Sequence, residues 1–389
     1  MFPPEQVTSA LMNYDLAEVL SNDYIVTVLR PSPTRPMGMK FNYNGLDNNS
    51  FETILIDSYT HPESQLLGRF RESIDFGYRC SKFIREHHDE IAFIYNNPWQ
   101  LFGVSIVARA AKKYHIPYMI AIQDIYPECL FTNKHYPGWI TKIAMALLKP
   151  IDKYYQKYAA SIRTISDEMA EYLSSTRGVP RDRYLVVNNW QNDEDFEGIK
   201  PAKEGESLRF VYTGSINLHA NVDLIIKAFV KADIPNSELI IYGGGNQKDS
   251  CVKLVEEMGL NNVHFGFVKR TEIPQVQADA SALVLALPSG NGNLCLPSKM
   301  TSYMLSGRPV IASVDQESAT ARYIKEAQCG ISVEPDSIDA LASGFKSFSK
   351  IPLDQRQALG ANSRLFAVKH LTRNVNLQMV CDEINSIIN

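Results

Sequence analysis

The chain has 389 residues, 45% of them hydrophobic and 21% charged, with a formal net charge of −4. That is enough apolar material for two cores at roughly 100–200 residues per domain, and the charge balance carries no nucleic-acid signature. No run approaches the roughly 18 consecutive apolar residues of a bilayer span, and the opening Met1-Phe2-Pro3-Pro4-Glu5 lacks the basic and apolar regions of a signal peptide. The six cysteines, Cys80, Cys129, Cys251, Cys295, Cys329 and Cys381, form no CxxC pair. Free thiols are therefore expected rather than a zinc site or a disulfide framework.

The first half alternates short apolar runs with helical patterns. Tyr24–Leu29, Glu90–Tyr95, Pro117–Ile122 and Ser161–Ile165 read as buried strands, and Ser9–Leu20, Gly68–His87, Gly103–Tyr114 and Gly138–Ala159 as helices. Phe2-Pro3-Pro4-Glu5 looks like the loop after a first strand, yet no strand precedes it; the expectation is either that the sheet starts differently here or that the first Met is internal. Gln191–Ser207 is polar and acidic, with Gly198, Pro201 and Gly205, and reads as a linker. The alternation then resumes. Phe210–Thr213, Glu238–Tyr242, Val263–Gly266, Ala282–Leu287 and Pro309–Ala312 read as strands, and Val222–Ala232, Lys248–Met258, Thr271–Ala278 and Ser298–Ser306 as helices. Leu371–Ile388 is a last helix with an apolar stripe. Strand–helix alternation with short connections specifies a parallel sheet covered on both faces, and seeing it twice specifies two such α/β domains. The boundaries read from this pattern are 1–193, 194–370 and a terminal helix at 371–389.

Ligands of open parallel sheets bind beyond the carboxyl ends of the strands, where loops enter helices. Three loops of the second half qualify. Tyr212-Thr213-Gly214-Ser215-Ile216-Asn217 follows a strand, and its glycine permits close backbone approach to a phosphate. Tyr242-Gly243-Gly244-Gly245-Asn246 does the same, although it is not the dinucleotide fingerprint GxGxxG. Either loop also reads as a plain strand-to-helix turn. The third, Asn291–Lys299 (NGNLCLPSK), makes a helix start at Pro297, with Ser298 as a cap and Lys299 in the first turn. A cation there is unfavourable against the helix dipole unless an anion shares the site. Lys299 and this helix start are thus expected to grip a diphosphate jointly; the plain alternative is a solvated lysine.

In order and spacing these pieces resemble glycosyltransferase family 4, which has the GT-B fold. The resemblance rests on FVYTGSINLHANVDLIIKAF, ELIIYGGG, VEEMGLNNVHFGFVKRTEIPQVQADASALVLAL and LPSKMTSYMLSGRPVIAS, with FPPE, IQDIYPECL and VVNNW in the first half. It is nearest to enzymes of O-antigen, capsule and colanic-acid assembly, such as amino-deoxy-hexose transferases. The resemblance implies two Rossmann-like domains facing a cleft, with a UDP- or GDP-linked sugar on the second, an acceptor on the first, and a final helix crossing back. It implies a hexosyl transfer with retention to a glycan or polyprenyl-diphosphate-linked acceptor, in the cytoplasm or on the inner face of the cell membrane, with no metal and no cofactor beyond the donor. Gly214, Ser215, Gly243, Gly244, Phe267, Val268, Leu296, Pro297, Ser298 and Lys299 would line the donor, and Phe267 and Val268 would flank the base. Asn217 and Asn293, in the same loops, join that set.

Two departures stand out. Many relatives carry two glutamates seven residues apart for the sugar and the ribose; here those positions read Leu294 and Ser302. Basic residues that grip the diphosphate in the first loop are replaced near Ser215 and Ala220, which leaves Lys299 as the phosphate charge.

In the first half, Gln123-Asp124-Ile125-Tyr126-Pro127-Glu128 follows a strand, so Asp124 is the candidate for acceptor activation and Glu128 a second one. Asp124 could instead cap the following turn. The resemblance places Glu5, in FPPE, where the first loop of the family meets the acceptor, against the alternative of an exposed loop acid. Pro137-Gly138-Trp139-Ile140 leads into an apolar helix with Met145, Leu147 and Leu148 beside Lys142, Lys149 and Lys153, a composition suited either to a membrane interface or to the domain core. Two other functions share this pattern. A nucleotide-sugar 2-epimerase would need His and acidic residues around the sugar, and the eight histidines form no such constellation. A non-catalytic nucleotide-sugar binder in a polysaccharide assembly complex would fit the absent glutamates.

Overall fold

A computed structural model describes residues 2–5, 7–34, 41, 50–61, 65–97, 101–131, 136–200, 207–290 and 296–389. The chain forms two compact units, Met1–Asn188 with Asn376–Asn389, and Asn189–Val375.

The first unit runs α1 (Thr8–Leu20), β1 (Thr27–Arg30), β2 (Glu52–Leu55), α2 (Leu66–Glu86), β3 (Ile94–Asn96), α3 (Leu101–Lys113), β4 (Tyr118–Ala121), α4 (Gly138–Tyr158), β5 (Ser161–Thr164), α5 (Asp167–Arg177) and β6 (Tyr184–Val186). Strands β3 to β6 form a parallel sheet in sequence order, and β1 pairs with β2, also parallel, in a sheet of their own. The central strands β4 (YMIA) and β5 (SIRT) are buried at every position, as expected for strands covered on both faces. Helix α5 shows why its ends fall where they do. The Ser166 side chain accepts from Met169 N at its start, and Gly178 closes it in the left-handed conformation at φ 63°. The expected strand at Tyr24–Leu29 is shorter and begins at Thr27, and its partner β2 was not anticipated, because ETIL is largely exposed. Ahead of α1, Phe2 packs edge-on against Phe51 and lies beside Tyr14, with ring centroids 5.9 Å away in both cases.

The second unit runs β7 (Leu208–Thr213), α6 (Val222–Ala232), β8 (Ser237–Tyr242), α7 (Lys248–Glu257), β9 (Val263–Gly266), α8 (Ile273–Ala278), β10 (Ala282–Ala286), α9 (Ser298–Leu305), β11 (Val310–Ser313), α10 (Ala319–Ala327), β12 (Gly330–Val333), α11 (Ile338–Ser349) and α12 (Leu353–His370). Its six strands are parallel in the order β12-β11-β10-β7-β8-β9. The chain enters at the centre with β7, moves one way through β8 and β9, then returns to the other side of β7 with β10. That reversal between β7 and β10 is the switch point where open α/β sheets bind ligands. One face of the sheet is filled by Phe210, Phe229, Phe345 and Phe348, with Phe210 and Phe345 edge-on at 4.8 Å.

The division between the units falls at Asn188/Asn189, a few residues before the expected 193/194. The reason is local: Trp190 is 1% exposed, and Asn189 O accepts from Thr301 Oγ1 in α9. Helix α13 (Arg373–Ile388) has its bulk, from Asn376 on, in the first unit, where Asn385 Oδ1 accepts from Tyr24 OH at 2.7 Å.

Candidate functional site

At the switch point of the second unit, the loops after β7 and β8 are laced together through their backbones. Gly214 N donates to Tyr242 O at 2.9 Å, Ile216 N to Gly244 O at 2.8 Å, and Gln247 N to Ile216 O at 3.1 Å. This contact is close enough to dictate glycine. Gly243 and Gly245 have φ of 153° and 148°, and a Cβ on either would collide with the carbonyl oxygen of Gly214 or Ile216, respectively. The triple glycine therefore serves loop-on-loop packing at its two outer positions. Gly244 alone has open space where a Cβ would stand.

Gly214 is favoured for a different reason: its φ of 137° is one that residues with a side chain rarely adopt, and Cε of Lys299 occupies the space a Cβ would take. Lys299 lies across this loop, its Nζ 5.4 Å from the centroid of the Tyr212 ring. The lysine is half-buried, and burial pushes its ammonium pKa down. Among the described residues no carboxylate pairs with it. It stands in the first turn of α9, whose N-terminus has Pro297 as its cap residue and no side-chain capping bond. The expected Ser298 cap is thus corrected: Ser298 is already helical and exposed, and its carbonyl accepts from Gln191 Nε2 at 2.7 Å. Among the described residues, helix N–H groups without a side-chain cap and a partly desolvated ammonium without a carboxylate partner form a site of positive potential.

The remaining donor candidates divide. Ser215 is exposed at the loop tip, and Phe267, just past β9, is 81% exposed with Val268 half-buried beside it. Leu296 is buried and Pro297 half-buried ahead of α9. Asn217 is occupied locally, since its Oδ1 accepts from His219 N and its Nδ2 donates to Ser215 Oγ. These bonds give it a turn-capping role beside the expected donor contact. Asn293 and Leu294 lie outside the described residues. Ser302 is buried, bonded to Lys299 O at 2.9 Å and near Gln277 Nε2 at 3.3 Å, so this position braces α9 internally.

Several residues of this site were not anticipated. Tyr303 OH accepts from Thr213 N at 2.9 Å and so ties α9 to the end of β7. Asp336, at φ 54°, accepts from Asn221 Nδ2 at 3.0 Å and from Ser289 N at 2.9 Å, joining the start of α6 to the loop after β10. Asp315 accepts from Gly290 N at 3.0 Å in that same loop. A Pro-Asp turn after β12 is visible in the sequence, but nothing there pairs it with Ser289.

In the first unit, Asp124 follows β4 and makes no hydrogen bond or ion pair among the described residues, so it does not cap the following turn. Its side chain is open to solvent, while the surrounding protein pushes its carboxyl pKa up. The two observations describe a protein-walled carboxylate that water still reaches. Glu128 is another matter. Both its oxygens accept from Arg177, at 2.9 and 2.7 Å, with Tyr172 OH at 3.1 Å and Lys149 Nζ at 3.4 Å. Arg177 also donates through Nε to buried Asp152, which Tyr155 OH and Gln156 bond as well. Burial works to raise the Glu128 pKa, but the Arg177 guanidinium outweighs it and holds the carboxyl below the usual range. Glu128 is therefore corrected from an acid–base candidate to a member of a structural ion cluster.

Glu5 is 7% exposed, which overturns the exposed-loop alternative, and its Oε1 accepts from Thr34 N at 3.0 Å. It lines a pocket of about 100 Å³ within the first unit, together with Thr34, Glu72, Asn96, Asn97 and Gly103. Asn96 Nδ2 is buried there without a partner among the described residues.

Comparison with known proteins adds to this geometry. Residues 193–366 match the family described as glycosyl transferases group 1. That match spans most of the second unit, Asn189–Val375. A protein of Escherichia coli (strain K12) named for colanic acid biosynthesis as glycosyl transferase WcaI is 23% identical over 209 residues, covering 49% of this chain and 50% of that one. WbjE of Pseudomonas aeruginosa, named as a glycosyltransferase, is 21% identical over 275 residues, covering 67% of this chain and 66% of its own. The chain thus spans between half and two thirds of the length of these curated relatives. Among solved structures, Anabaena Alr3699/HepE in complex with UDP superposes with a TM-score of 0.70 at 13% identity, covering 97% of this chain and 95% of that one. The fold is of the GT-B type, with a parallel α/β sheet in each unit.

Proposed function

We propose that the protein is a glycosyltransferase of the family 4 type that moves a hexose-type sugar from a UDP- or GDP-linked donor to a glycan or polyprenyl-diphosphate-linked acceptor in surface-polysaccharide biosynthesis. The observation that carries this reading is Lys299, a half-buried ammonium with no carboxylate partner among the described residues, beside a helix N-terminus with no side-chain cap among them, at the switch point of the second unit. A bound diphosphate supplies the missing anion to both. Departure of a nucleoside diphosphate is the charge-developing step of glycosyl transfer, and fixed positive groups are the means of stabilising it. The UDP complex of Anabaena Alr3699/HepE supports the same assignment for this fold.

In this reading Gly214, Ser215 and Gly244 border the phosphates, and Phe267 with Val268 takes the base. The anomeric C–O bond to phosphate breaks, and the acceptor oxygen bonds to the same face of the sugar. The acceptor proton passes to the departing phosphate, which gives retention. Asp124 orients the acceptor hydroxyl. In the pocket lined by Glu5 and Asn96, the Asn96 Nδ2 donor is one that a sugar hydroxyl oxygen satisfies.

The test is release of UDP or GDP from a panel of nucleotide sugars with and without lipid-linked or oligosaccharide acceptors. Acceptor-dependent release is expected. Nucleotide-sugar binding with no release under any acceptor would indicate a binding component, and donor epimerisation without acceptor a 2-epimerase; either result sinks the transferase reading.

A further inference from the structure

Helix α4 presents an apolar row to solvent. Trp139, Ile143 and Leu147 are 66%, 54% and 68% exposed, and their spacing of four residues stacks them on one face. No side chain between Gly138 and Ile151 is fully buried; burial in this helix begins at Asp152 and continues at Tyr155 and Gln156. The alternative of a core helix therefore holds only for its C-terminal end.

Scattered exposed leucines are ordinary on protein surfaces, but a continuous row of large apolar groups is not. The charge around the row is of one sign. Lys142, Lys153 and Lys157 are exposed on α4, while Lys149 reaches Glu128. From α3, which packs alongside, Arg109 lies over the Tyr154 ring and Lys112 over Tyr158. Asp152 is the sole acid in either helix, and it is buried against Arg177. Helix α5, which also packs on α4, exposes Asp167 and Glu171, but both are paired with Arg181. Lysine is depleted from protein–protein interfaces, whereas an apolar row with a lysine rim and no exposed carboxylate on its own helix matches an anionic lipid surface.

We infer that this face of α4 docks the protein on an anionic bilayer, with Trp139, Ile143 and Leu147 entering the headgroup boundary and the lysines meeting lipid phosphates. No helix among the described residues is long and apolar enough to cross a membrane. The contact is thus in-plane, with the apolar face roughly 5–10 Å deep. The inference stands apart from the glycosyl-transfer reading, because its assay needs no substrate.

The test is flotation of the full chain with vesicles of phosphatidylethanolamine containing roughly one third phosphatidylglycerol, compared with phosphatidylcholine vesicles. Binding is expected to the first and to weaken with salt. Leu147→Ser should weaken it about tenfold or more, and Lys142→Glu with Lys153→Glu by at least about fivefold per charge. Leu365→Ser, at a leucine 70% exposed on α12, should leave binding unchanged. All these positions are exposed, and unchanged circular dichroism melting would show the variants folded. Absence of flotation by the wild-type chain overturns the inference, as does equal binding by Leu147→Ser. A self-association in ultracentrifugation that Leu147→Ser abolishes, without vesicle binding, would reassign the face to a second copy of this chain.

Discussion

Substituting Lys299 by Met should move apo stability and ligand binding in opposite directions. Methionine keeps an unbranched chain against Gly214 and Tyr212 while removing the ammonium. The pKa of Lys299 is lowered in the folded protein, so the folded state holds that proton less tightly than the unfolded chain. The charged lysine therefore costs stability below its unfolded value of about 10.4, and the cost fades as pH rises through the window between the lowered folded value and that point. Lys299→Met should remove the cost, raising the apo Tm by a few degrees, of the order of 2–4 °C per kcal/mol for a unit of this size. Binding should fall instead. A charge-assisted hydrogen bond to phosphate contributes about 1.5–3 kcal/mol, or ~10–150-fold in Kd. At a nucleotide concentration of about 100 times the wild-type Kd, ligand stabilisation is ~2.7 kcal/mol; a hundredfold weaker variant at that concentration keeps only ~0.4 kcal/mol. Paired thermal-shift scans with UDP and GDP, backed by calorimetry, read both effects. An undiminished nucleotide shift, or an apo Tm below that of the wild type, refutes the assignment of Lys299 as an unpaired phosphate ligand.

Three further expectations follow from the geometry. Phe267→Ala should weaken nucleotide binding by about 1–3 kcal/mol through lost base stacking, while the apo melting temperature stays put because the ring is 81% exposed; calorimetry on both proteins checks it. Asp124→Asn should lower turnover by ~10²–10⁴ with nucleotide affinity preserved, and the wild-type activity should fall with decreasing pH at a higher pH than an ordinary carboxylate would impose, since its pKa is raised; a pH–rate profile shows both. Glu128→Gln should destabilise the first unit by ~3–5 kcal/mol in urea titrations while the folded fraction keeps its turnover. The lowered Glu128 pKa makes its contribution present above the unfolded value near 4.3 and lost as pH falls through the folded one, so the variant should also lose part of the wild-type acid sensitivity.

Much of the second unit could be read directly from residues. ALVLA and FVYT are continuous apolar runs, which only a doubly covered strand requires, and both became central strands of the sheet. What escaped had weak local signals. The β2 segment ETIL is mostly exposed, and α12 has Leu353, Leu365 and Val368 facing solvent, so neither shows a periodicity that a core would impose. At the site, the dipole mismatch of Lys299 was visible in LPSK alone. The occupied state of Glu128 was not, because Arg177 lies 49 residues away and reaches it only through the packing of α5. Asn217 is the opposite case: its partner, His219 N, is two residues on, so its local Asx turn lies within the sequence itself.

The lacing of the β7 and β8 loops also bears on how such a site changes over generations. Gly243 and Gly245 leave no room for a side chain against Gly214 and Ile216. Two of the loops that border the proposed donor thus form a single inherited part, closed to stepwise variation at those contacts. If the proposed donor site holds, new donor preference accumulates where side chains border it without such backbone contact, at Phe267 and Val268 past β9 and at Leu296 to Lys299 ahead of α9. A lineage of such proteins should therefore diversify its sugars through the β9 and β10 exits while its glycine exits stay nearly constant.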